Sequence, residues 1–302
     1  RCRSSVMPRP SSKRFRSVVI AGAGTGLGRE AALKFASEGY VVFGTAKSVA
    51  EVHDLKAASG GRVSLAACDM TNIPGLRAWA DGVSEALDGA GLDVLVNLPE
   101  HIEGGPLEAL PIDSIGRAFE ANVLGTVSVI NAFLPSLRVA HGRVIQVSSW
   151  IAELAVPFSG PSAASMAALK ALSAAYRAEV RPSAVDVVTV TTDLIRPAAD
   201  TDRAARTVRA AANLTPAQRD LYGKRMTAAA TRLEELAIGG ADLVEVAARV
   251  VQIGQADVAT GHDAVGDRAL EILEATQTKK DAQLEAFRLN LVGLSQAASP
   301  KH

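Results

Sequence analysis

The chain has 302 residues, of which 48% are hydrophobic, 4% aromatic and 21% charged. This composition excludes a disordered chain and a fibrous or low-complexity one. Lysine plus arginine equals aspartate plus glutamate, 32 against 32, so the basic excess typical of nucleic-acid-binding proteins is absent. The two cysteines cannot build a disulfide framework, which favours a cytoplasmic setting.

The two ends of the chain differ in character. Residues 1–16 carry six basic side chains and no acidic one, which predicts a disordered basic tail. Residues 17–302 are expected to form a single domain. No run reaches about 18 uninterrupted apolar residues, so no membrane-spanning helix is expected.

Short β-branched runs alternate with Ala/Leu-rich stretches of helical length. This alternation predicts an α/β fold, a doubly wound parallel sheet of the Rossmann type with helices on both faces. Sheets of this kind bind ligands at the carboxyl ends of their strands. The predicted strands are Ser17–Ala21, Tyr40–Thr45, Arg62–Ala67, Leu92–Asn97, Arg143–Ser148 and Val185–Val190, and the predicted helices include Leu27–Ser37, Ile112–Leu137 and Ala163–Val180.

The pattern changes after the last of these strands. Residues 200–240 form an Ala/Arg-rich helical excursion, interpreted as a lid over a ligand cleft, with simple edge packing as the alternative. A helix near Asp242–Gln255 follows. A last helix is predicted over 268–291, where its apolar positions suit either a contact in a homo-oligomer or packing at the sheet edge.

A glycine-rich turn follows the first strand. Its pattern is Gly-x-x-x-Gly-x-Gly at Gly22, Gly26 and Gly28. Glycine permits close backbone approach, and the helix that opens here presents free N–H groups to a phosphate. A lone glycine turn is weak evidence, but one that heads a strand–helix–strand series is fairly strong evidence for a dinucleotide site.

Several motifs in one order make the chain resemble the short-chain dehydrogenase/reductase family over roughly residues 17–265. Besides the glycine turn, the matching segments are Asp69-Met70, Leu95-Val96-Asn97, Glu120–Gly125, Gly142–Ser149, Arg196-Pro197 and the lid-like stretch Leu214–Gly223. The lid-like stretch is similar to that of the steroid- and retinol-type members.

The resemblance implies a nicotinamide dinucleotide as cofactor. Lys47 stands at the end of the second strand, where an acidic residue would favour NAD, so NADP(H) is expected. Leu98, Pro99 and Ala198 replace small family residues beside the nicotinamide, which puts binding of that half in doubt. The cofactor-binding residues implied are Gly22, Thr25, Gly26, Leu27, Gly28, Lys47, Asp69, Met70, Asn97 and Pro197.

The active site is where the chain departs from the family. The resemblance assigns Ser149 and Asn122 to two positions of the catalytic tetrad. The family's proton-donating Tyr lies thirteen residues beyond the Ser, and its Lys four further on. Those positions hold Ser162 and Met166, and neither replaces a phenol or an ammonium group.

New polar residues lie near the same strand ends and give alternative acid–base groups. Glu100 and His101 follow the fourth strand, and Glu153 follows the fifth. Three hypotheses result. The first is a non-redox enzyme, a cyclase, isomerase, eliminase or hydrolase, acting on a small hydrophobic molecule. The second is an NADP(H)-dependent oxidoreductase with an unusual proton donor. The third is a non-catalytic partner subunit.

Overall fold

The computed structural model describes residues 15–99, 104–196 and 214–294. Its centre is a seven-stranded sheet in the order β3-β2-β1-β4-β5-β6-β7, in which every pairing is parallel. The strands are β1 Ser17–Ala21, β2 Val41–Ala46, β3 Val63–Ala67, β4 Val94–Asn97, β5 Arg143–Ser149, β6 Asp186–Thr192 and β7 His262–Val265.

Helices connect consecutive strands and cover both faces of the sheet, as parallel crossovers require. They are α1 Gly26–Ser37, α2 Val49–Ala58, α3 Ile73–Ala86, α4 Ile112–Phe119, α5 Thr126–Ala140, α6 Gly160–Val180, α7 Pro216–Ile238, α8 Leu243–Gln255, α9 Asp267–Thr278 and α10 Asp281–Leu291. The predicted fold class, a doubly wound parallel α/β sheet, is confirmed.

Each central strand is buried on both sides, which is why it reads as a continuous apolar run. In β1, Val18 packs with α1 and α8 on one face, and its neighbour Val19 packs with α3 and α5 on the other. A third cluster joins the loop after β5 to the final helices and includes Trp150, Ala229 and Ile272. The carboxyl ends of the strands therefore open between two packed helical layers.

The longest apolar stretch, Ile112–Ala140, is interrupted near its middle. A π-helical turn, Glu120–Gly125, separates α4 from α5, and such turns are frequent at functional sites. By length and composition the stretch could cross a membrane, and no other helix in the described ranges could. Its residues Val129, Phe133 and Leu137 are buried against the sheet, so core packing accounts for its apolar character.

Two details differ from the sequence prediction. The edge strand β7 was not predicted, because its four residues, HDAV, form too short a run to stand out. The prediction of one helix over 268–291 is wrong. The chain is extended at Lys279, and α10 starts anew with its own cap, in which Gln283 accepts from the Lys280 backbone N–H.

The predicted tail and lid are described only in part. Residues 1–14 lie outside the described ranges, but Arg16 donates to the Tyr40 hydroxyl at 3.0 Å and lies over its ring. Of the predicted lid, α7 is a long helix, and residues 197–213 lie outside the described ranges. The assignment of 17–302 to a single domain stays a prediction.

Candidate functional site

The glycine turn between β1 and α1 has the geometry of a phosphate cradle. Gly26 has φ +53°, and a Cβ added there would meet nothing within 4 Å, so the space above it is open. A Cβ on Gly28 would lie 1.9 Å from the Gly22 carbonyl oxygen, so only glycine allows this close packing. Thr25 caps α1 without a side-chain hydrogen bond, and the first turn contains no acidic residue. The helix N-terminus is thus suited to an anion, while Leu27 anchors the turn in the core.

The turn is tied to the neighbouring strand β2. The Gly22 backbone N–H donates to the Thr45 hydroxyl at 2.9 Å, and the Ala23 N–H donates to the Thr45 carbonyl at 2.7 Å. Lys47 is exposed immediately after β2. The predicted phosphate loop and the predicted cofactor lysine therefore lie at adjacent strand ends.

Asp69 and Met70 follow β3 at the same edge of the sheet. Asp69 accepts from the backbone N–H and the hydroxyl of Thr71, both at 2.9 Å, and these bonds, aided by the charge of Lys47, lower its pKa. The Met70 sulfur lies 4.0 Å from the Thr45 hydroxyl. The predicted adenosine-side residues thus form a group around the ends of β2 and β3.

Asn97 ends β4 beside the glycine turn and opposite Gln146 in β5. Asn97 is 1% exposed, and neither polar atom of its side chain has a hydrogen-bond partner among the described residues. The Gln146 side-chain oxygen and the Ser148 hydroxyl are also buried and have no hydrogen-bond partner among the described residues. Buried polar groups in native proteins are satisfied, so this row is suited to accept a bound polar molecule or ordered water.

The π-helical turn positions Asn122 over the ends of the strands. Asn122 is buried, and its Nδ2 donates to the Ser165 hydroxyl at 3.0 Å, which in turn donates to the Ser162 carbonyl at 3.1 Å. Ser149 ends β5, is partly buried, and accepts from the Ile151 backbone N–H at 3.5 Å. Both predicted tetrad residues therefore lie beside the start of α6.

Ser162 and Met166 occupy consecutive turns of α6. Their exposures are 0% and 4%, so both face the interior. The chain's remaining Tyr and Lys in this helix point elsewhere. Tyr176 donates to the Asn131 side chain at 2.9 Å, and burial raises the pKa of its phenol. Lys170 forms an ion pair with Glu153.

The predicted acid–base residue Glu153 belongs to a partly buried polar network between α6 and the β6–β7 edge. Its side chain is 5% exposed, and that of its partner Lys170 is 43% exposed. The Thr191 hydroxyl lies 3.5 Å from the Glu153 carboxylate and 3.0 Å from His262 Nε2. Partial burial lowers the pKa of His262, although the nearby Glu153 charge opposes the shift. This network could not be predicted from the sequence, because its members come from four separate elements.

Tyr222 is in α7. Its ring lies edge-on to Phe158, with 6.5 Å between centroids. Phe158 belongs to the loop that leads into α6 and has φ +67°. The contact connects α7 to the loop before Ser162.

Other predicted residues lie outside the described ranges, namely Glu100, His101 and Pro197. Among the residues that are described, no cluster of three or more His, Cys, Asp or Glu side chains could hold a metal ion. A cavity of about 490 Å³ that the sequence did not indicate opens beside the ends of β6 and β7. At its base Asp193 accepts from the backbone N–H groups of Arg268 and Ala269 and so caps α9, while burial raises the pKa of Asp193.

The parallel sheet, the glycine turn and the crossover order together define a Rossmann-type α/β fold. A family model for short chain dehydrogenases matches residues 16–207. The chain belongs to this family.

Named relatives agree with this assignment. A 3-ketodihydrosphingosine reductase of Bacteroides thetaiotaomicron is 29% identical over 175 residues, 57% of this chain and 61% of the relative. Human retinol dehydrogenase 5 is 30% identical over 218 residues, 71% of this chain and 67% of the relative. The chain thus spans about three-fifths of the first relative's length.

Solved structures support the fold. A short-chain dehydrogenase from Streptomyces avermitilis superposes with a TM-score of 0.73 at 23% sequence identity. The match covers 93% of this chain and 98% of the other.

Proposed function

We propose that this protein is an oxidoreductase that binds a nicotinamide dinucleotide at the glycine turn and acts on a hydroxyl or carbonyl group of a small, largely apolar molecule. The observation that carries the proposal is the glycine turn, whose open space above Gly26 faces an uncapped helix N-terminus. The names of the relatives support the substrate class, since 3-ketodihydrosphingosine and retinol are both largely apolar molecules with a carbonyl or hydroxyl group.

The cofactor supplies or accepts a hydride when bound. The N–H groups at the start of α1 would hold its pyrophosphate, and the unpartnered Asn97 amide would offer a further polar contact. Ser149, at the carboxyl end of β5, orients the substrate oxygen by hydrogen bonding. Asn122 steadies the start of α6 through Ser165.

Proton transfer in this site proceeds without the family's phenol. The Ser162 hydroxyl is a much weaker acid than a phenol, and Met166 has no charge to lower a neighbouring pKa. A positioned general acid contributes about 10²–10⁴-fold to a rate. A redox turnover with water or Ser149 as the proton donor is therefore expected to be slow for this family.

Ser162 and Met166, in place of a Tyr and a Lys, favour a second candidate function. This function is non-redox acid–base chemistry such as cyclisation, elimination, isomerisation or hydrolysis. In that case Glu100 or His101 supplies the acid–base group. Glu153 is less suited to this role, because its carboxylate is engaged by Lys170.

A titration of NADH and NADPH, followed by nucleotide fluorescence, tests the cofactor proposal. Gly26→Ala introduces a Cβ into the open space where a phosphate would lie, so affinity should fall at least about tenfold. Gly60→Ala is the matched control. Gly60 also has positive φ (+61°) and nothing within 4 Å of an added Cβ, but it follows α2, away from the turn. Equal losses in both variants, or no binding by the wild type, would refute the proposal.

Turnover assays then separate the candidate chemistries. An absorbance change of the nicotinamide with a ketone or alcohol panel supports the oxidoreductase. Product formed without that change, and abolished in Glu100→Gln, supports the non-redox enzyme. Binding without turnover of any substrate favours the non-catalytic partner.

A further inference from the structure

An acidic side chain from α2 lies between the glycine turn and the end of β2. Glu51 is in the first turn of this helix, and its carboxylate accepts from the Lys47 backbone N–H at 3.0 Å. The same oxygen atom lies 2.0 Å from where a Cβ on Gly24 would be, so the carboxylate rests against the Gly24 backbone.

The position of Glu51 is determined by the local structure. Its own backbone N–H donates to the Ser48 hydroxyl, which caps α2, at 3.2 Å. Glycine at position 24 is what leaves room for the carboxylate, since any larger residue would overlap with it. The loop and the helix cap therefore hold a negative charge at this point.

This location matters because of how a Rossmann fold holds a dinucleotide. The adenosine ribose lies between the glycine turn and the end of the second strand, where a carboxylate accepts from the ribose 2′-hydroxyl and repels a 2′-phosphate. Glu51 accepts from the Lys47 backbone, and the Lys47 charge acts on Asp69, so this position combines two carboxylates with one ammonium group. A 2′-phosphate here would be repelled by the Glu51 carboxylate as well as attracted by Lys47.

We propose that Glu51 makes the site selective for the dinucleotide with a free 2′-hydroxyl, NAD(H), over its 2′-phosphorylated form, NADP(H). This inference rests on the proposed function and deepens it. The Lys47 side chain alone favours NADP(H). The Lys47 backbone N–H, however, holds the Glu51 carboxylate in place, and this carboxylate opposes the positive charge of the side chain. The expected preference is therefore reversed. The selecting acid comes from the first turn of α2 and not from the end of β2, where none is present.

Dissociation constants for NADH and NADPH on wild type, Glu51→Gln and Asp54→Asn test the proposal. Glutamine keeps the size of the side chain and can still accept from the Lys47 N–H. Asp54→Asn is the matched control, since it removes the same charge one turn along α2, where Asp54 faces Arg29 at 3.5 Å. Thermal unfolding of each variant verifies that it folds.

We expect wild type to bind NADH at least about tenfold more tightly than NADPH. In Glu51→Gln the NADPH affinity should rise about tenfold, and in Asp54→Asn the NADH-to-NADPH ratio should stay within about twofold of wild type. Tighter NADPH binding by wild type, or a ratio that Glu51→Gln does not change, would overturn the role of Glu51 and leave the proposed function standing. Failure of all three proteins to bind either nucleotide would overturn both.

Discussion

The pair Glu153–Lys170 gives the most direct test of whether a predicted catalytic acid is a structural group. Lys170→Met removes the ammonium partner and keeps the length of the side chain. Glu153→Gln removes the charge and keeps the shape. Because the Glu153 side chain is 5% exposed and that of Lys170 is 43% exposed, the two substitutions are not equivalent.

The expected magnitudes follow from that asymmetry. Lys170→Met leaves a buried carboxylate whose remaining hydrogen-bond donor among the described residues is the Thr191 hydroxyl, 3.5 Å away. Breaking a fully buried pair costs about 3–5 kcal/mol and an exposed one about 0–1, so we expect a loss of about 2–3 kcal/mol in unfolding free energy. Glu153→Gln leaves an ammonium group that water can solvate, which should cost about 1 kcal/mol. The double variant should cost about 1–2 kcal/mol, well below the sum of the single effects.

Urea unfolding followed by tryptophan fluorescence measures all four proteins and completes a double-mutant cycle. The control is the exposed pair Lys34–Glu38, for which the coupling should not exceed about 0.5 kcal/mol. If the single effects of Glu153→Gln and Lys170→Met add within error, the ion pair does not stabilise the fold. In that case Glu153 becomes available again as an acid–base residue.

Three further predictions concern single residues. Gly28→Ala should destabilise the fold by about 1–3 kcal/mol in a thermal melt, because the new Cβ overlaps with the Gly22 carbonyl; an unchanged melting temperature would show that the turn can relax. Asp193→Ala should cost about 1–2 kcal/mol in urea unfolding by uncapping α9, and Asp193→Asn should restore most of it. The folded pKa of His262 lies below its ordinary value of 6.5, so the unfolded chain binds the extra proton. The contribution of His262 to the free energy of unfolding is therefore present above pH 6.5 and is lost as the pH falls through the folded pKa. The unfolding free energies of wild type and His262→Gln should converge as the pH falls from about 7.5 to about 5. A gap that widens on acidification would contradict this assignment.

The sequence predicted most of the scaffold because the signals are local. A buried parallel strand such as β1 is a short apolar run, and the glycines of the following turn are required by close backbone contacts within the same segment. The strand–helix alternation then predicts the parallel sheet. The two errors in the predicted elements were local too. Strand β7 was missed because it has only four residues, and the last helix was predicted as one because the break at Lys279 interrupts an otherwise helical pattern.

The chemistry of the site was predictable only in part. The family resemblance implies a Tyr and a Lys at the positions that Ser162 and Met166 occupy. It does not show that Glu153 pairs with Lys170, because these residues meet only when α6 packs beside the end of β5. Nor does spacing show that Glu51 rests against Gly24, 27 positions earlier in the chain.

The sequence by itself thus determined the fold class, the glycine turn and the absence of Tyr and Lys from positions 162 and 166. Only the tertiary structure decided which charges meet, as in the contact of Glu51 with Gly24 on which the proposed preference for NAD(H) rests. The physical reason is that apolar periodicity and glycine geometry act within a few residues of the chain, whereas electrostatic interactions depend on distances in space. Those distances are set by the order in which the strands are placed in the sheet.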